Sequence, residues 1–157
     1  MRHTISVLVE NKFGVLARIA GLFSARGFNI DSLTVGETED PTISRMTIVV
    51  KGDDKTIEQV KKQLNKLIDI ITVKDLTKKD YIDRELVLFK VGFTEKEKPY
   101  IANVIKKAGA QVLHTNSKSF LVQMVGPQEK VASILEQLAR YGIKDLTRTG
   151  KVAITKD

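Results

Sequence analysis

The sequence predicts an α+β protein made of two tandem domains, each with the element order β-α-β-β-α-β. The spacing of apolar residues switches repeatedly between two, which is typical of half-buried strands, and about 3.6, which is typical of amphipathic helices. This order of elements occurs twice along the 157 residues. Between the two runs the apolar pattern lapses. We therefore predict two ferredoxin-like domains, residues 1–76 and 83–157, with a linker at 77–82.

In the first domain each element has its own pattern. Alternation around Ile5 and Val9 predicts a strand, and a stripe of apolar residues that ends before Gly27 predicts a helix. Two strands joined by the turn-rich segment 39–42 follow, and Asp53 opens a second helix with negative charge at its N-terminus. A last strand covers 70–76. The expected core positions of the two helices are Leu16, Ile19, Ala20, Phe23, Ile57, Val60, Leu64, Leu67 and Ile68.

The second domain repeats the pattern with different residues. A strand is predicted over 85–93, then a helix that ends at Gly109, then two strands over 111–115 and 119–125. Pro127 begins a second helix, and strands over 143–147 and 152–154 complete the sheet. The expected core positions of these two helices are Ile101, Val104, Ile105, Ala108, Val131, Ile134, Leu135 and Leu138.

Composition excludes several classes of function. The chain has no cysteine, so it has no disulfide framework and no thiolate chemistry. No apolar run approaches the roughly 20 residues that a membrane-spanning helix needs, and we expect a cytoplasmic protein with no membrane partner. The net charge of +7 lies mostly in residues 77–157, which carry 15 basic and 9 acidic residues, against 11 and 10 in residues 1–76. The basic residues are dispersed without interleaved aromatics, so we expect no nucleic-acid partner.

The sequence offers no catalytic constellation. The two histidines, His3 and His114, are isolated and lack metal-ligand spacing. No glycine-rich phosphate loop follows a strand. The pairs Glu39-Asp40 and Asp53-Asp54 lie at predicted turns, where capping accounts for them better than magnesium binding does. We therefore predict no catalytic residues, no metal site and no cofactor on this chain.

The most informative segment is the junction between the first strand and the first helix. Gly14 permits close approach to the backbone, and the amides of Val15 and Leu16 are first-turn donors at the positive end of the helix dipole. Such a turn suits a carboxylate, while Asn11 supplies both a donor and an acceptor. Together they could hold the carboxylate and ammonium of an amino acid. Equally, Asn11 could be an ordinary N-cap that bonds only its own helix.

Three blocks of the chain resemble a known family. Residues 11–16, Asn-Lys-Phe-Gly-Val-Leu, resemble the Asn/Asp-x-x-Gly-x-Leu turn of ACT domains, which are small-molecule sensors with this element order. Residues 26–35 and 41–48 are similar to the small regulatory subunit of acetolactate synthase, and so is the opening segment 3–10. The resemblance covers residues 1–76. In the second half, segments 83–86 and 148–150 are similar to the same subunit's second domain, but less distinctively.

The resemblance implies a feedback device without activity of its own. In that family, ACT domains of two chains pair into one extended sheet, and valine binds between the chains. It therefore implies a homodimer in which one chain contributes Asn11, Gly14, Val15 and Leu16, and the other contributes Asn29 and Ile30. It also implies a catalytic large subunit as partner, which would hold thiamine diphosphate, magnesium and FAD, and which this chain would activate and make sensitive to valine.

Other interpretations remain open at this point. Asn29 follows Gly27 and Phe28, and it could merely shape the turn between helix and strand. The whole chain could be a free-standing ACT-type amino-acid sensor that acts on another partner, although no helix-turn-helix is predicted. A small enzyme on the same scaffold is disfavoured by the lack of an acid/base pair.

Overall fold

A computed structural model describes residues 1–157 and divides the chain into two compact units. The first unit comprises residues 1–82 and 151–157, and the second comprises residues 83–150. Each contains the predicted β-α-β-β-α-β order. No helix in either unit is long and apolar enough to cross a membrane.

The first unit is a four-stranded antiparallel sheet that carries two helices. The elements are β1 (Arg2–Glu10), α1 (Val15–Ala25), β2 (Ile30–Glu37), β3 (Ile43–Lys51), α2 (Asp54–Asn65) and β4 (Ile70–Asp75). The strand order is β2-β3-β1-β4, which leaves β2 and β4 at the edges. Register is fixed along β1 by apolar pairs such as Ile5 opposite Ile48 and Val7 opposite Met46.

The core of this unit lies between the helices and one face of the sheet. Ile19 and Phe23 of α1 are buried there, as predicted, but the helix stripe begins with Val15 and not with Leu16, whose side chain is exposed. Ile68 is likewise exposed, because α2 ends at Asn65 and Ile68 lies in the loop beyond it. Val15, Ile19 and Phe23 are spaced by four residues, so the apolar pattern fits a stripe that begins at Val15 as well as one that begins at Leu16. The same pattern cannot show that the backbone leaves the helix before Ile68.

Local signals set the helix ends. The Asp53 side chain accepts a hydrogen bond from the Thr56 N–H at 2.7 Å, which is the predicted acidic N-cap of α2. After α1, Gly27 has a φ of 72°, which residues other than glycine rarely adopt, and its N–H donates to the Ser24 carbonyl at 3.0 Å. The first bond satisfies the N–H of Thr56 at the start of α2, and the second satisfies the carbonyl of Ser24 at the end of α1. Backbone groups at these positions otherwise have no partner within the helix.

The second unit repeats this design. The elements are β5 (Tyr81–Gly92), α3 (Lys98–Lys107), β6 (Gln111–Thr115), β7 (Ser119–Gly126), α4 (Gln128–Leu138) and β8 (Ile143–Arg148). The first two residues of β5 belong to the first unit. The strand order is β6-β7-β5-β8, and the two helices cover a core that includes Phe89, Ile101, Val122 and Ile134.

One buried ion pair crosses from β5 to β8 in the second unit. The Glu85 side chain is only 1% exposed, and Arg148 Nε and Nη2 donate to its two carboxylate oxygens at 2.6 and 2.7 Å. The hydrogen bond to Glu85 raises the pKa of Arg148. A carboxylate this deeply buried requires such a partner, because its desolvation is otherwise uncompensated.

The end of the chain differs from the predicted domain limits. Residues 151–157 group with the first unit, although we placed the second domain at 83–157, and β5 begins at Tyr81, inside the predicted linker at 77–82. Lys151 explains the grouping: its N–H donates to Ser32 Oγ and its carbonyl accepts from Thr34 Oγ1, both at 3.0 Å. A last strand, β9 (Val152–Thr155), follows.

Candidate functional site

The turn between β1 and α1 is built around one left-handed residue. Gly14 has φ and ψ of 82° and −6°, and it immediately precedes the first residue of α1. Residues that have a Cβ are strained at such a φ, so the turn requires glycine. A Cβ at this position would also lie 3.2 Å from Arg18 Nη1. The sequence prediction of a close-approach glycine is therefore consistent with the observed backbone.

The first turn of α1 presents free donors. The helix has no side-chain cap, and the N–H groups of Leu16 and Ala17 have no hydrogen-bond partner. The Val15 N–H makes only a long bond, 3.4 Å, to the Lys12 carbonyl. These donors lie at the positive end of the helix dipole, and such a position favours an anion.

Asn11 does not cap this helix. Its Nδ2 donates to Glu37 Oε1 at 3.1 Å and to the Pro41 carbonyl at 2.9 Å, and its backbone N–H donates to the Thr42 carbonyl at 2.7 Å. The alternative in which Asn11 bonds only its own helix is therefore wrong. Both amide hydrogens are used, while Oδ1 has no partner and remains available as an acceptor.

An open cavity of about 460 Å³ lies beside Asn11. Three of its lining residues, Pro41, Ile43 and Ile71, provide apolar surface. Lys12 and Glu10 also line it and form an ion pair at 2.6 Å, and the hydrogen bond to Glu10 raises the pKa of Lys12. The cavity thus offers an aliphatic surface next to the free acceptor of Asn11, which suits a small amphipathic ligand.

The side chains of the turn contribute unequally. Val15 is 3% exposed and its side chain belongs to the core, so only its backbone faces outward. Leu16 is 44% exposed and Phe13 is fully exposed. At the outer surface, Gly14 and Val15 therefore present main-chain groups, whereas Leu16 presents its side chain as well.

The remaining two predicted residues lie at the other end of the unit. Ile30 begins β2 and pairs with Val50, and Val50 in turn pairs with His3 at the start of β1. Asn11 follows the end of β1, whose nine residues extend over about 26 Å. Within one chain, Asn29 and Ile30 are therefore not brought together with Asn11 and Gly14.

Three residues of this region were not predicted from the sequence. Glu37 accepts a hydrogen bond from Asn11, and Arg18 and Asp69 form an ion pair behind the turn. No local pattern marks them, because each is an ordinary charged residue whose partner is 26 or 51 positions away in sequence.

Comparison with known proteins gives concordant results over the whole chain. Residues 5–72 match the model of the AHAS small subunit-like ACT domain, and residues 84–157 match that of the small subunit of acetolactate synthase. The probable acetolactate synthase small subunit of Archaeoglobus fulgidus is 50% identical over 156 residues, covering 99% of this chain and 98% of that protein.

Two further proteins agree with these matches. The acetolactate synthase small subunit of Mycolicibacterium smegmatis is 42% identical, covering 98% of this chain and 91% of that protein. The crystal structure of the small subunit from Thermotoga maritima is 36% identical, with a TM-score of 0.88, and the match covers 100% of this chain and 98% of that one. The fold class and the resemblance inferred from the sequence are confirmed. On this full-length similarity, the chain belongs to the acetolactate synthase small-subunit family.

Proposed function

We propose that this chain is the regulatory subunit of an acetolactate synthase, which activates a separate catalytic subunit and confers feedback inhibition by valine in branched-chain amino-acid biosynthesis. The observation that carries the proposal is the β1–α1 turn: free main-chain donors lie close in sequence to Asn11 Oδ1, a free acceptor, in a chain of this family. An amino acid carries the complementary pair of groups.

Each part of an aliphatic amino acid has a counterpart at the turn. The carboxylate would accept from the N–H groups of Leu16 and Ala17 at the positive end of α1. The ammonium would donate to Asn11 Oδ1. A branched aliphatic side chain would pack on Ile43 and Ile71 in the neighbouring cavity.

The topology supports a site that two copies of the chain complete. β2 is an edge strand with one unpaired side, and such an edge favours pairing with another strand. In a two-fold symmetric, antiparallel β2–β2 pairing, the start of one β2 lies beside the end of the other. The end of β2 is Glu37, which is hydrogen-bonded to Asn11. Asn29 and Ile30 of the second copy would therefore approach the Asn11 turn of the first.

This arrangement also gives a physical basis for regulation. A ligand that contacts both copies binds the paired state more tightly than any unpaired or differently paired state, so it shifts the equilibrium toward the paired state. We assign catalysis, with thiamine diphosphate, magnesium and FAD, to the catalytic subunit, and we expect a cytoplasmic holoenzyme. No cofactor is assigned to this chain.

Calorimetric titration of the purified chain with valine, leucine and isoleucine tests the effector. We expect valine to bind saturably with one site for each β1–α1 turn in the dimer, and absence of binding by all three would contradict the proposed site.

Reconstitution with a catalytic subunit tests the partner. We expect higher acetolactate formation than the catalytic subunit alone gives, and inhibition of that activity by valine. Valine binding without any effect on the synthase would favour a free-standing sensor.

A further inference from the structure

The second unit contains a groove between its two helices that the proposed function does not use. We call it the α3–α4 groove. Its volume is about 380 Å³, and its floor is apolar, formed by Val104, Ala108, Met124 and Ile134. Met124 and Ile134 are 3% and 1% exposed, so the floor is part of a closed core. The groove is therefore a preformed concavity over intact packing, of the size that small ligands occupy.

The walls come from one stripe on each helix. Val104 and Lys107 belong to the α3 stripe, and Lys130 and Ile134 to the α4 stripe, with the spacing of three or four residues that places side chains on one helix face. Each stripe thus contributes one buried apolar residue and one exposed lysine. The two helices are antiparallel, because they precede and follow the antiparallel strands β6 and β7. The end of α3 and the start of α4 therefore meet, and both lysines lie at the same end of the groove.

The two lysines have no anionic partner. Neither Lys107 nor Lys130 forms an ion pair, whereas Lys12, Lys61, Lys78 and Lys156 of the same chain each do. No aspartate or glutamate lines the groove. Two ammonium groups at one end of an apolar concavity produce a local positive potential, which favours an anion there.

Neutral polar groups and one aromatic ring complete the lining. Asn103 has no side-chain hydrogen bond, and Gln137 Nε2 donates to Ser133 Oγ at 3.1 Å. The ring of Tyr100, in the first turn of α3, also lines the groove, and the Arg140 guanidinium lies 5.5 Å from its centre. A few polar groups around an apolar surface orient a ligand. The groove thus has two lysines at one end and uncharged polar groups along its sides.

From this arrangement we propose that the α3–α4 groove is a binding site for a small organic anion with an apolar body. The anionic group, a carboxylate or a phosphate, lies between Lys107 and Lys130, and the apolar body lies on Val104, Met124 and Ile134. The site is in a different unit from the β1–α1 turn, and the proposal does not depend on valine binding there.

Hexanoate, acetate and hexanol are suitable probes for the full-length dimer, because they separate the charge from the apolar body. Methyl NMR spectra of Val104, Ala108, Met124 and Ile134 would be recorded during titration with each. We expect hexanoate to give saturable shifts confined to these methyl groups. We expect acetate and hexanol to bind at least about tenfold more weakly, since each lacks one of the two contributions.

Matched variants test the role of the lysines. We expect the double variant Lys107→Gln/Lys130→Gln to raise the dissociation constant of hexanoate roughly tenfold. The control Lys96→Gln/Lys118→Gln removes the same charge from exposed lysines outside the groove, and we expect less than about a twofold change. The variant Ser133→Trp places a ring over the floor and should abolish the methyl shifts.

Three results would overturn the proposal. Shifts that rise linearly without saturation, or that spread over the surface, would show adventitious contact only. An equal loss of affinity in both lysine pairs would show a general charge effect. The catalytic subunit could also shield Lys107 and Lys130 from chemical acetylation while hexanoate does not bind. That result would identify the groove as a protein-docking surface instead.

Discussion

Arg18 and Asp69 join the start of α1 to the loop before β4. Arg18 Nε and Nη2 donate to Asp69 Oδ2 at 3.1 and 2.5 Å, and the Asp69 carbonyl accepts a hydrogen bond from the Glu10 N–H at 2.8 Å. Asp69 therefore holds both the end of β1 and the first turn of α1, the two elements that flank the Asn11 turn. The Asp69 side chain is 11% exposed, while that of Arg18 is 50% exposed.

Loss of the Arg18 side chain should destabilise the first unit. Arg18→Ala leaves the nearly buried Asp69 carboxylate without its donor, and we expect a loss of about 1–2 kcal/mol in the free energy of unfolding, limited by the exposure of Arg18. Urea denaturation of the full chain measures it. Arg26→Ala, at an exposed position without an ion pair, should change the value by less than about 0.5 kcal/mol. Equal effects of the two substitutions would contradict a specific role for this pair.

Two glycine substitutions in the same region should have opposite effects on stability. Gly14→Ala introduces a Cβ at a residue whose φ is +82° and places it 3.2 Å from Arg18 Nη1, and we expect the free energy of unfolding to fall by about 1–2 kcal/mol. Gly21→Ala, inside α1 with open space around the added methyl group, should gain about 0.5–1 kcal/mol. Thermal unfolding of both variants provides the comparison.

A third substitution tests ligand binding at the same position. We expect Gly14→Asp to lose valine binding, because its carboxylate would repel the carboxylate of the ligand. Unchanged affinity for valine would show that valine binds elsewhere.

Asn29→Ala should separate ligand binding from folding. Asn29 is exposed and its side chain makes no hydrogen bond within its own chain, so the substitution should leave thermal stability without valine unchanged. If Asn29 contacts valine from the second copy, the lost bond of about 1–3 kcal/mol should weaken binding about 5–150-fold. Calorimetry with Asn65→Ala, another exposed asparagine, serves as control. Lower stability with normal affinity would support the turn-shaping alternative instead, and wild-type valine inhibition would refute the inter-chain site.

In the second unit, replacement of Arg148 should be costly even by lysine. Glu85 is buried and receives two parallel hydrogen bonds from the guanidinium, which a single ammonium cannot reproduce. We expect Arg148→Met to lower the free energy of unfolding by about 2–3 kcal/mol and Arg148→Lys by somewhat less, the 40% exposure of Arg148 limiting both values. Denaturation measures these losses in the free energy of unfolding, and the same measurement on Arg84→Met, at an exposed residue next to Glu85, provides the reference value. A double variant that also carries Glu85→Gln should recover part of the loss.

Asp75 should make stability fall in acid. Burial acts to raise the pKa of Asp75, but hydrogen bonds from Thr77 and the nearby His3 and Lys61 outweigh it and hold that pKa below 3.8. A lowered pKa in the folded state stabilises the protein above pH 3.8, and this contribution is lost as the pH falls through the folded-state value. Urea denaturation from about pH 2 to about pH 6 should show a smaller decrease for Asp75→Asn than for wild type. Parallel curves for the two proteins would exclude this contribution.

Part of the site was predictable because its signals are local. The need for glycine at position 14, the free N–H of Leu16 and the start of α1 all follow from a few adjacent residues. The second predicted donor, the Val15 N–H, bonds to the Lys12 carbonyl, and the Ala17 N–H is free instead. The partners of Asn11 were not predictable, because Glu37 and Pro41 are distant in sequence. The asparagine was therefore equally compatible with a helix cap until the tertiary structure showed where its amide points.

The two β-α-β-β-α-β units follow from the amino-acid sequence alone, since apolar spacings of two and of about 3.6 fix which face of each strand and of each helix is buried. The family also follows from the sequence, through the blocks around Asn11, Asn29 and Pro41. Only the tertiary structure assigned residues 151–157 to the first unit, because Lys151 bonds to Ser32 and Thr34 more than 100 positions away. It alone also placed Asn29 and Asn11 at opposite ends of one sheet. These two findings have the same cause. The apolar periodicity indicates which residues are buried, whereas strand pairing and long-range hydrogen bonds decide which residues contact one another.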